Sequence, residues 1–425
     1  MMSLRIDKVR LLDENGIGQT EHSVLVEGGR IASLDAGGQT ADEVVDGRGQ
    51  WLMPGLIDLC CNLREPGDNR KGNIATETRA AARGGFTTVC ASPETVPVND
   101  SGAVTGLIRG QAAERGVVRV LPIGAMTRGM HGELLSDMAA LHGAGCVALS
   151  NGNQPVRDAR ILRRCMAYAA TFDIPLFLRP ENASLAADGC AHEGFIATRL
   201  GLPGIPEVAE TAAVSELILL AEDTGVRLHL SQLSAARSVE LVADARRRGL
   251  AVTADVAVHH LLFTEALLEG YDSRFHLRPP LRTEQDRAGL LQGVRDGTLS
   301  AIVSQHEPQD PEAKQAPFGE TAPGLSSIEL VLPLLQRLVD DGALAPEHLY
   351  RALCLGPSGI LGQPRPVIAE GAVADLCLYD PSASWTVNDR GLLSQSKQTA
   401  CSGEEVRGRV RLTLVDGRVA YRDPV

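Results

Sequence analysis

The chain has 425 residues, 44% of them hydrophobic and 22% charged, with 41 basic against 53 acidic side chains and a formal net charge of −12. That is the composition of a globular protein long enough for one large or two medium domains. The acidic balance argues against a nucleic-acid backbone or an anionic membrane as the main partner, and no run of about 18 uncharged apolar residues is present to span a bilayer.

The start, Met1-Met2-Ser3-Leu4-Arg5-Ile6-Asp7, puts an acid where a signal peptide would begin its apolar core. Nine cysteines, an odd number without a C-x-x-C pair, suggest neither a disulfide framework nor a zinc ribbon; a cytoplasmic protein is expected. Ser23-Val24-Leu25-Val26-Glu27, Gly28-Gly29 and Arg30-Ile31-Ala32-Ser33-Leu34 read as a hairpin. Eight apolar, β-branched runs follow, near 56–62, 86–92, 118–125, 146–151, 174–179, 226–233, 250–256 and 299–305. Helical patterns separate them, such as Glu207 to Thr224 before Gly225 and Ser238 to Arg248 before Gly249, each with glycine where a helix C-cap wants one. Eight such units predict an α/β fold of the (β/α)8 TIM-barrel type, with chemistry at the C-terminal ends of the strands. A doubly wound sheet is the weaker alternative, because no glycine-rich phosphate loop follows Leu59. Near the C-terminus Val410 to Val415 alternates, Asp416-Gly417 offers a type I′ turn, and Arg418 to Tyr421 returns. The expected organisation is therefore residues 1–53 and 365–425 forming one small β-sandwich domain from both termini, with the barrel at 54–364.

Ten histidines and nine cysteines permit a metal site by count, so placement decides. The stretch Pro54-Gly55-Leu56-Ile57-Asp58-Leu59-Cys60-Cys61-Asn62-Leu63-Arg64-Glu65-Pro66-Gly67 resembles the opening of the dihydroorotase branch of the amidohydrolase superfamily, P-G-x-I-D-x-H-x-H-x-R-x-P-G. The resemblance runs on in order through Gly84-Gly85-Phe86-Thr87-Thr88-Val89, His192-Glu193-Gly194, Gly201 to Pro206, Ala236 to Leu241, His259-His260-Leu261-Leu262, Pro279-Pro280-Leu281-Arg282, Trp385-Thr386-Val387, Ser394-Gln395-Ser396-Lys397 and Val415-Asp416-Gly417. It implies a metal-assisted cyclic amide hydrolase in active members, where one or two zinc ions activate water and a carboxylate moves the proton. H-x-H on a strand serves this chemistry because side chains at i and i+2 share a face.

Set against that pattern, the metal positions carry other groups. Cys60 and Asn62 stand at the two histidines, Asn151 falls in the family's S-D-D-G segment, Arg179 and Gln232 replace the third and fourth histidines, and Gln305 replaces the base aspartate. Arg179 is a permanent cation that repels a metal, Gln305 has no proton to exchange near neutral pH, and the amides offer only neutral oxygens. Cys60 alone remains a good zinc ligand; the expected cofactor is none. Arg64 keeps the position that grips the substrate carboxylate, but Glu94 replaces its asparagine partner and Arg278 replaces another asparagine, so these three form a vestigial substrate site.

Cys60 and Cys61 read as small apolar fillers of a buried strand. His229, His259, His260 and His306 read as structural histidines lining the old pocket. Arg179 with Glu94 is a candidate internal ion pair in place of the metals, Arg64 is a candidate partner of Glu65 or another acid, and Arg246-Arg247-Arg248 reads as a solvated helix cap. The resemblance is greatest to the non-catalytic dihydroorotase-like subunits of aspartate carbamoyltransferase in bacterial pyrimidine biosynthesis. A pseudoenzyme that assembles with that catalytic chain, in a homo- or hetero-oligomer, is the leading expectation. The alternatives are an amidohydrolase with an altered or single-metal site, with Cys60 as ligand or nucleophile, and a subunit that binds a pyrimidine intermediate through Arg64 or Arg278.

Overall fold

The computed structural model describes residues 3–424. Eight parallel strands occupy the eight apolar runs: β1 (Leu56–Cys61), β2 (Phe86–Ala91), β3 (Arg119–Ala125), β4 (Ala148–Ser150), β5 (Leu176–Leu178), β6 (Leu228–Leu230), β7 (Val252–Ala257) and β8 (Ala301–Val303). They pair in sequence order. The ring closes where Cys61, at the end of β1, bridges His306 just past β8, with Asn62 N–H donating to His306 O at 2.8 Å. The (β/α)8 barrel is thus read correctly from the repeat of apolar runs.

Short strands buried on both faces need helices outside and apolar side chains inside. Leu59, Cys90, Ile123, Phe177 and Val303 fill the barrel interior, and a larger cluster joins the outer strand faces to the helices. The helices begin and end where local chemistry dictates. Ile74–Arg83 starts at Asn73, whose side chain accepts from Thr76 N–H in a capping box, and Val208–Thr224 stops at Gly225 with φ +70°. The helix expected from Ser238 begins two residues earlier and spans Ala236–Arg247. Its arginines are engaged beyond a solvated cap: Arg246 donates to Gly297 O and Thr298 O, Arg247 pairs with Asp244, and Arg248 pairs with Glu222.

A second sheet is built from both ends of the chain. Its order is Arg418–Arg422, Glu405–Val415, Leu376–Thr386, Trp51–Pro54, Leu4–Asp13, Gly16–Glu27 and Arg30–Ser33, with Glu43–Asp46 also pairing Leu4–Asp13. Both expected hairpins form: Glu27 pairs Arg30, and Val415 pairs Arg418. Positive φ at Asp416 (49°) and Gly417 (71°) gives the type I′ geometry that matches strand twist. Leu52 and Leu378, from the two termini, share one core with Ile6 and Leu412. This sheet grips the barrel through Thr413 Oγ1, which donates to Ala82 O at 2.7 Å, and through Gly85, whose φ of +88° and close approach to Cys377 leave no room for a side chain.

Candidate functional site

The C-terminal ends of the strands converge on a cavity lined by Cys60, Asn62, Glu94, Arg179, Gln232 and Gln305, together with Asn153 and Glu307. Five of the six positions that the resemblance marks as altered ligands therefore meet, at or just past the ends of β1, β5, β6 and β8. Three of these side chains are joined in a line. Gln305 Nε2 donates to Arg278 O and to Gln232 Oε1, each at 3.0 Å, and Gln232 Nε2 donates to Cys60 Sγ at 2.8 Å. Amide-to-amide and amide-to-thiol hydrogen bonds occupy the space between strand ends.

Asn151 is the exception among the six. It is turned away from the cavity: Thr127 Oγ1 donates to its Oδ1 at 2.6 Å, and its Nδ2 donates to Met130 O and Gln154 O. In its place Asn153 faces inward, its Nδ2 reaching Glu94 Oε2 at 3.2 Å and Glu307 Oε1 at 3.4 Å. Asn153 and Glu307 are not among the residues that the sequence assigned to the site. Asn153 turns inward although Asn151 points out because the chain turns between them at Gly152, where φ is +56°, so strand spacing carries no signal for it.

The expected pairing of Arg179 with Glu94 does not form. Arg179 instead donates to Arg278 O at 3.0 Å and Asn153 O at 3.1 Å, and lies 3.8 Å from Glu181, two residues on. Glu181 also takes a bidentate pair of bonds from Arg278, at 2.9 and 2.7 Å, so Arg278 is not free to restore charge to the cavity. Arg64 does not pair with Glu65, which binds Arg115 at 2.9 Å. Arg64 donates to Pro308 O at 3.0 Å and faces Glu307 at 3.8 Å, and its Nη2 is buried without a hydrogen-bond partner. Asn62 Nδ2 and Gln305 Oε1 are likewise buried and unpartnered.

Electrostatics set the character of the cavity. Burial, then the carboxylates of Asp58, Asp255, Glu307 and Glu94, push the Cys60 thiol well above its ordinary range, the opposite of what activates a nucleophilic cysteine. Burial also pushes the Glu307 carboxyl up; Arg64 pulls it back and Glu94 adds to the rise. Asp58 on β1 is raised to about 6 by burial, against hydrogen bonds from Ser304 N–H and Oγ–H.

The histidines have separate structural places. His229 bonds Thr253 and Asp255 at 2.9 Å each, and His260 bonds the carbonyls of Pro279 and Pro280. His306 Nδ1 accepts from Ser327 N–H, so its Nε2–H donates to Glu77 at 2.8 Å, a fully buried pair that Ser394 Oγ also joins. Only His306 of the four reaches the cavity wall, correcting the expectation that all line it. Strand alternation decides this, because His229 bonds Asp255 on neighbouring β7 while Gln232, three residues on, turns inward.

The backbone is strained at this spot. Arg64, Gln232 and Gln305 have φ of +59°, +60° and +50°, a left-handed conformation that costs a residue with a Cβ about 1 kcal/mol or more. Non-glycine residues keep such angles where surrounding structure holds them, and active sites are the common location.

A Dihydro-orotase-like family profile matches residues 49–238. Proteins named Dihydroorotase-like protein from Pseudomonas aeruginosa and Pseudomonas putida are 45% and 44% identical, each aligned over 99% of this chain and over 100% and 99% of their own lengths. The chain belongs to the dihydroorotase-like family of the amidohydrolase superfamily. A family relative named Dihydroorotase, from Syntrophotalea carbinolica, is 41% identical, with 99% of both chains covered. In fold the chain is similar to an L-hydantoinase (dihydropyrimidinase) from Arthrobacter aurescens, with a TM-score of 0.89 at 23% identity, covering 99% of this chain and 96% of that one.

The residues of this dihydroorotase-like cavity do not fit a zinc ion. Two amides are bonded to each other and one of them to the Cys60 thiol, the Arg179 guanidinium stands among them, and among the described residues no three His, Cys, Asp or Glu side chains come together as a metal would need. The free volume of about 60 Å³ is less than half the roughly 150 Å³ that holds a benzene ring.

Proposed function

We propose that this chain is a catalytically silent dihydroorotase homologue, kept as a structural and assembly subunit of aspartate carbamoyltransferase in pyrimidine biosynthesis. The observation that carries the silent half is the line of hydrogen bonds from Arg278 O through Gln305 and Gln232 to Cys60. A hydrolase of this kind needs an ion to activate water and a base to move a proton. Here the base position is a carboxamide engaged at both of its N–H bonds, and two of the ligand positions, Gln232 and Cys60, bond to each other. The well-packed frame around them, with its paired strands, capped helices and two-ended sheet, is what an assembly role requires. The partner itself is carried over from the resemblance described above.

Two measurements test the proposal. Protein purified without added zinc is expected to hold far less than one zinc per chain and to turn over neither dihydroorotate nor carbamoyl-aspartate; stoichiometric zinc with turnover refutes silence. The aspartate carbamoyltransferase chain is expected to co-purify with this protein and to change size in its absence. An enzyme of unchanged size and activity without it refutes the assembly role.

One observation favours a second reading, binding of a pyrimidine intermediate. Asn62 Nδ2 and Gln305 Oε1 are a donor and an acceptor without hydrogen bonds at one cavity, and Arg64 Nη2, also without a hydrogen bond, lies 3.8 Å from the lining Glu307. Stabilisation by dihydroorotate or carbamoyl-aspartate that disappears in Arg64→Ala supports it, and no thermal shift with either ligand excludes it.

A further inference from the structure

At the opposite end of the barrel, where the terminal sheet meets the starts of the strands, lies a cleft of about 830 Å³. Its walls are the Gly28-Gly29 and Asp416-Gly417 turns, the last turn of the helix Gly102–Arg115, and the start of β3. Small-molecule sites of roughly 300–1,000 Å³ occur preferentially at such domain junctions.

Four arginines line it, Arg30, Arg109, Arg119 and Arg418, against a single carboxylate, Asp416. Arg119 is held fast by Asp375 and Asp416, at 2.9 Å each. The other three guanidinium groups have no carboxylate partner among the described residues. Arg30 donates one N–H to Gly371 O at 2.7 Å and Arg109 one to Ala144 O at 2.8 Å. Each guanidinium carries five N–H donors in a planar fork that matches phosphate oxygens two at a time, so most of their donors face the cleft or solvent. In a chain of net charge −12, three uncompensated cations around one cleft make a local attraction for anions. Between them, Ala112, Val117, Val373 and Val419 supply an apolar wall.

We propose that this cleft binds an organic phosphate of nucleotide size, its phosphate oxygens held by Arg30, Arg109 and Arg418 and its less polar part lying against Val117 and Val419. The site is separate from the strand-end cavity and stands whether or not that cavity is silent. It also gives the junction between barrel and sheet a ligand that bridges both, since Arg109 belongs to the barrel and Arg30 and Arg418 to the sheet.

The test is titration of the full-length protein with ATP, UTP and inorganic tripolyphosphate, followed by thermal shift and calorimetry at low and moderate salt. A nucleotide is expected to stabilise the protein with an affinity that falls as salt rises. Arg109→Gln and Arg418→Glu, both at exposed positions, are expected to weaken binding about tenfold or more, the range for loss of a charge-assisted hydrogen bond, while Arg64→Ala leaves it unchanged. No stabilisation by any probe, or binding that survives both substitutions, overturns the proposal. Equal binding of tripolyphosphate and nucleotides also overturns it, because the apolar wall then has no part in recognition.

Discussion

If the amides of Gln232 and Gln305 really join across the space between strand ends, removing them one at a time and together must give non-additive costs. Gln232→Ala loses two hydrogen bonds, one donated to Cys60 and one accepted from Gln305. Gln305→Ala also loses two, to Arg278 O and to Gln232, and Arg278 O keeps its bond from Arg179. At about 1 kcal/mol net per neutral bond, each single variant is expected to lose about 2 kcal/mol. The double variant removes only three different bonds and is expected to lose about 3 rather than 4, a coupling of about 1 kcal/mol. Urea titration of all four proteins at one pH reads the cycle. With an unfolding entropy of about 2.1 cal/mol/K per residue, the singles should melt about 2 °C lower, which calorimetry resolves. Strict additivity to within about 0.3 kcal/mol, the usual behaviour of independent sites, means that the two amides do not meet and refutes the closed strand-end arrangement.

The left-handed backbone at Gln232 predicts an inverted order at that position: Gln232→Gly is expected to be more stable than Gln232→Ala by about 0.5 kcal/mol, as relief of strain outweighs glycine's added unfolded-state entropy. Alanine proving the more stable on denaturation shows that the strain is absent. Asp58, raised from 3.8 to about 6, binds more protons in the folded than in the unfolded state between those values, so its charged form costs stability as pH rises through that window, by an amount of order 3 kcal/mol. Asp58→Asn, which keeps an acceptor for Ser304 N–H, is accordingly expected to gain on the parent protein between pH 4 and about 7; a pH-independent difference in melting temperature rules out the raised carboxyl. The Cys60 thiol, pushed up by burial and neighbouring carboxylates, is expected to react with a disulfide reagent at pH 8 far more slowly than free cysteine, and fast single-site labelling of the native protein at Cys60 contradicts the acidic, closed setting.

The barrel was legible because its signal is local and repeated. Each apolar run is long enough for one strand, and Gly225 and Gly249 mark where helices must stop, so order and class follow without knowledge of any distant contact. The two terminal hairpins were legible for the same reason, through the turn chemistry of Gly28-Gly29 and Asp416-Gly417. Residue type at each strand end was equally plain: a guanidinium at 179 and a carboxamide at 305 carry their chemical limits wherever they sit.

Partner choice was not legible. Glu94 and Arg179 carry opposite charges in one cavity, yet Glu181 lies nearer the guanidinium because it is two residues on, and Glu94 is taken by Asn153. Asn151 keeps the family position but points outward, since the turn it occupies offers three good partners there. Pairing of Asn153 with Glu307, residues 154 apart in sequence, depends on barrel closure. By itself the sequence determined the fold class and the residue types at the strand ends, Cys60, Asn62, Arg179, Gln232 and Gln305. Only the tertiary structure decided that Gln305, Gln232 and Cys60 bond to one another, because a hydrogen bond depends on the ångström-scale position and direction of side chains that the fold brings together from separate strands.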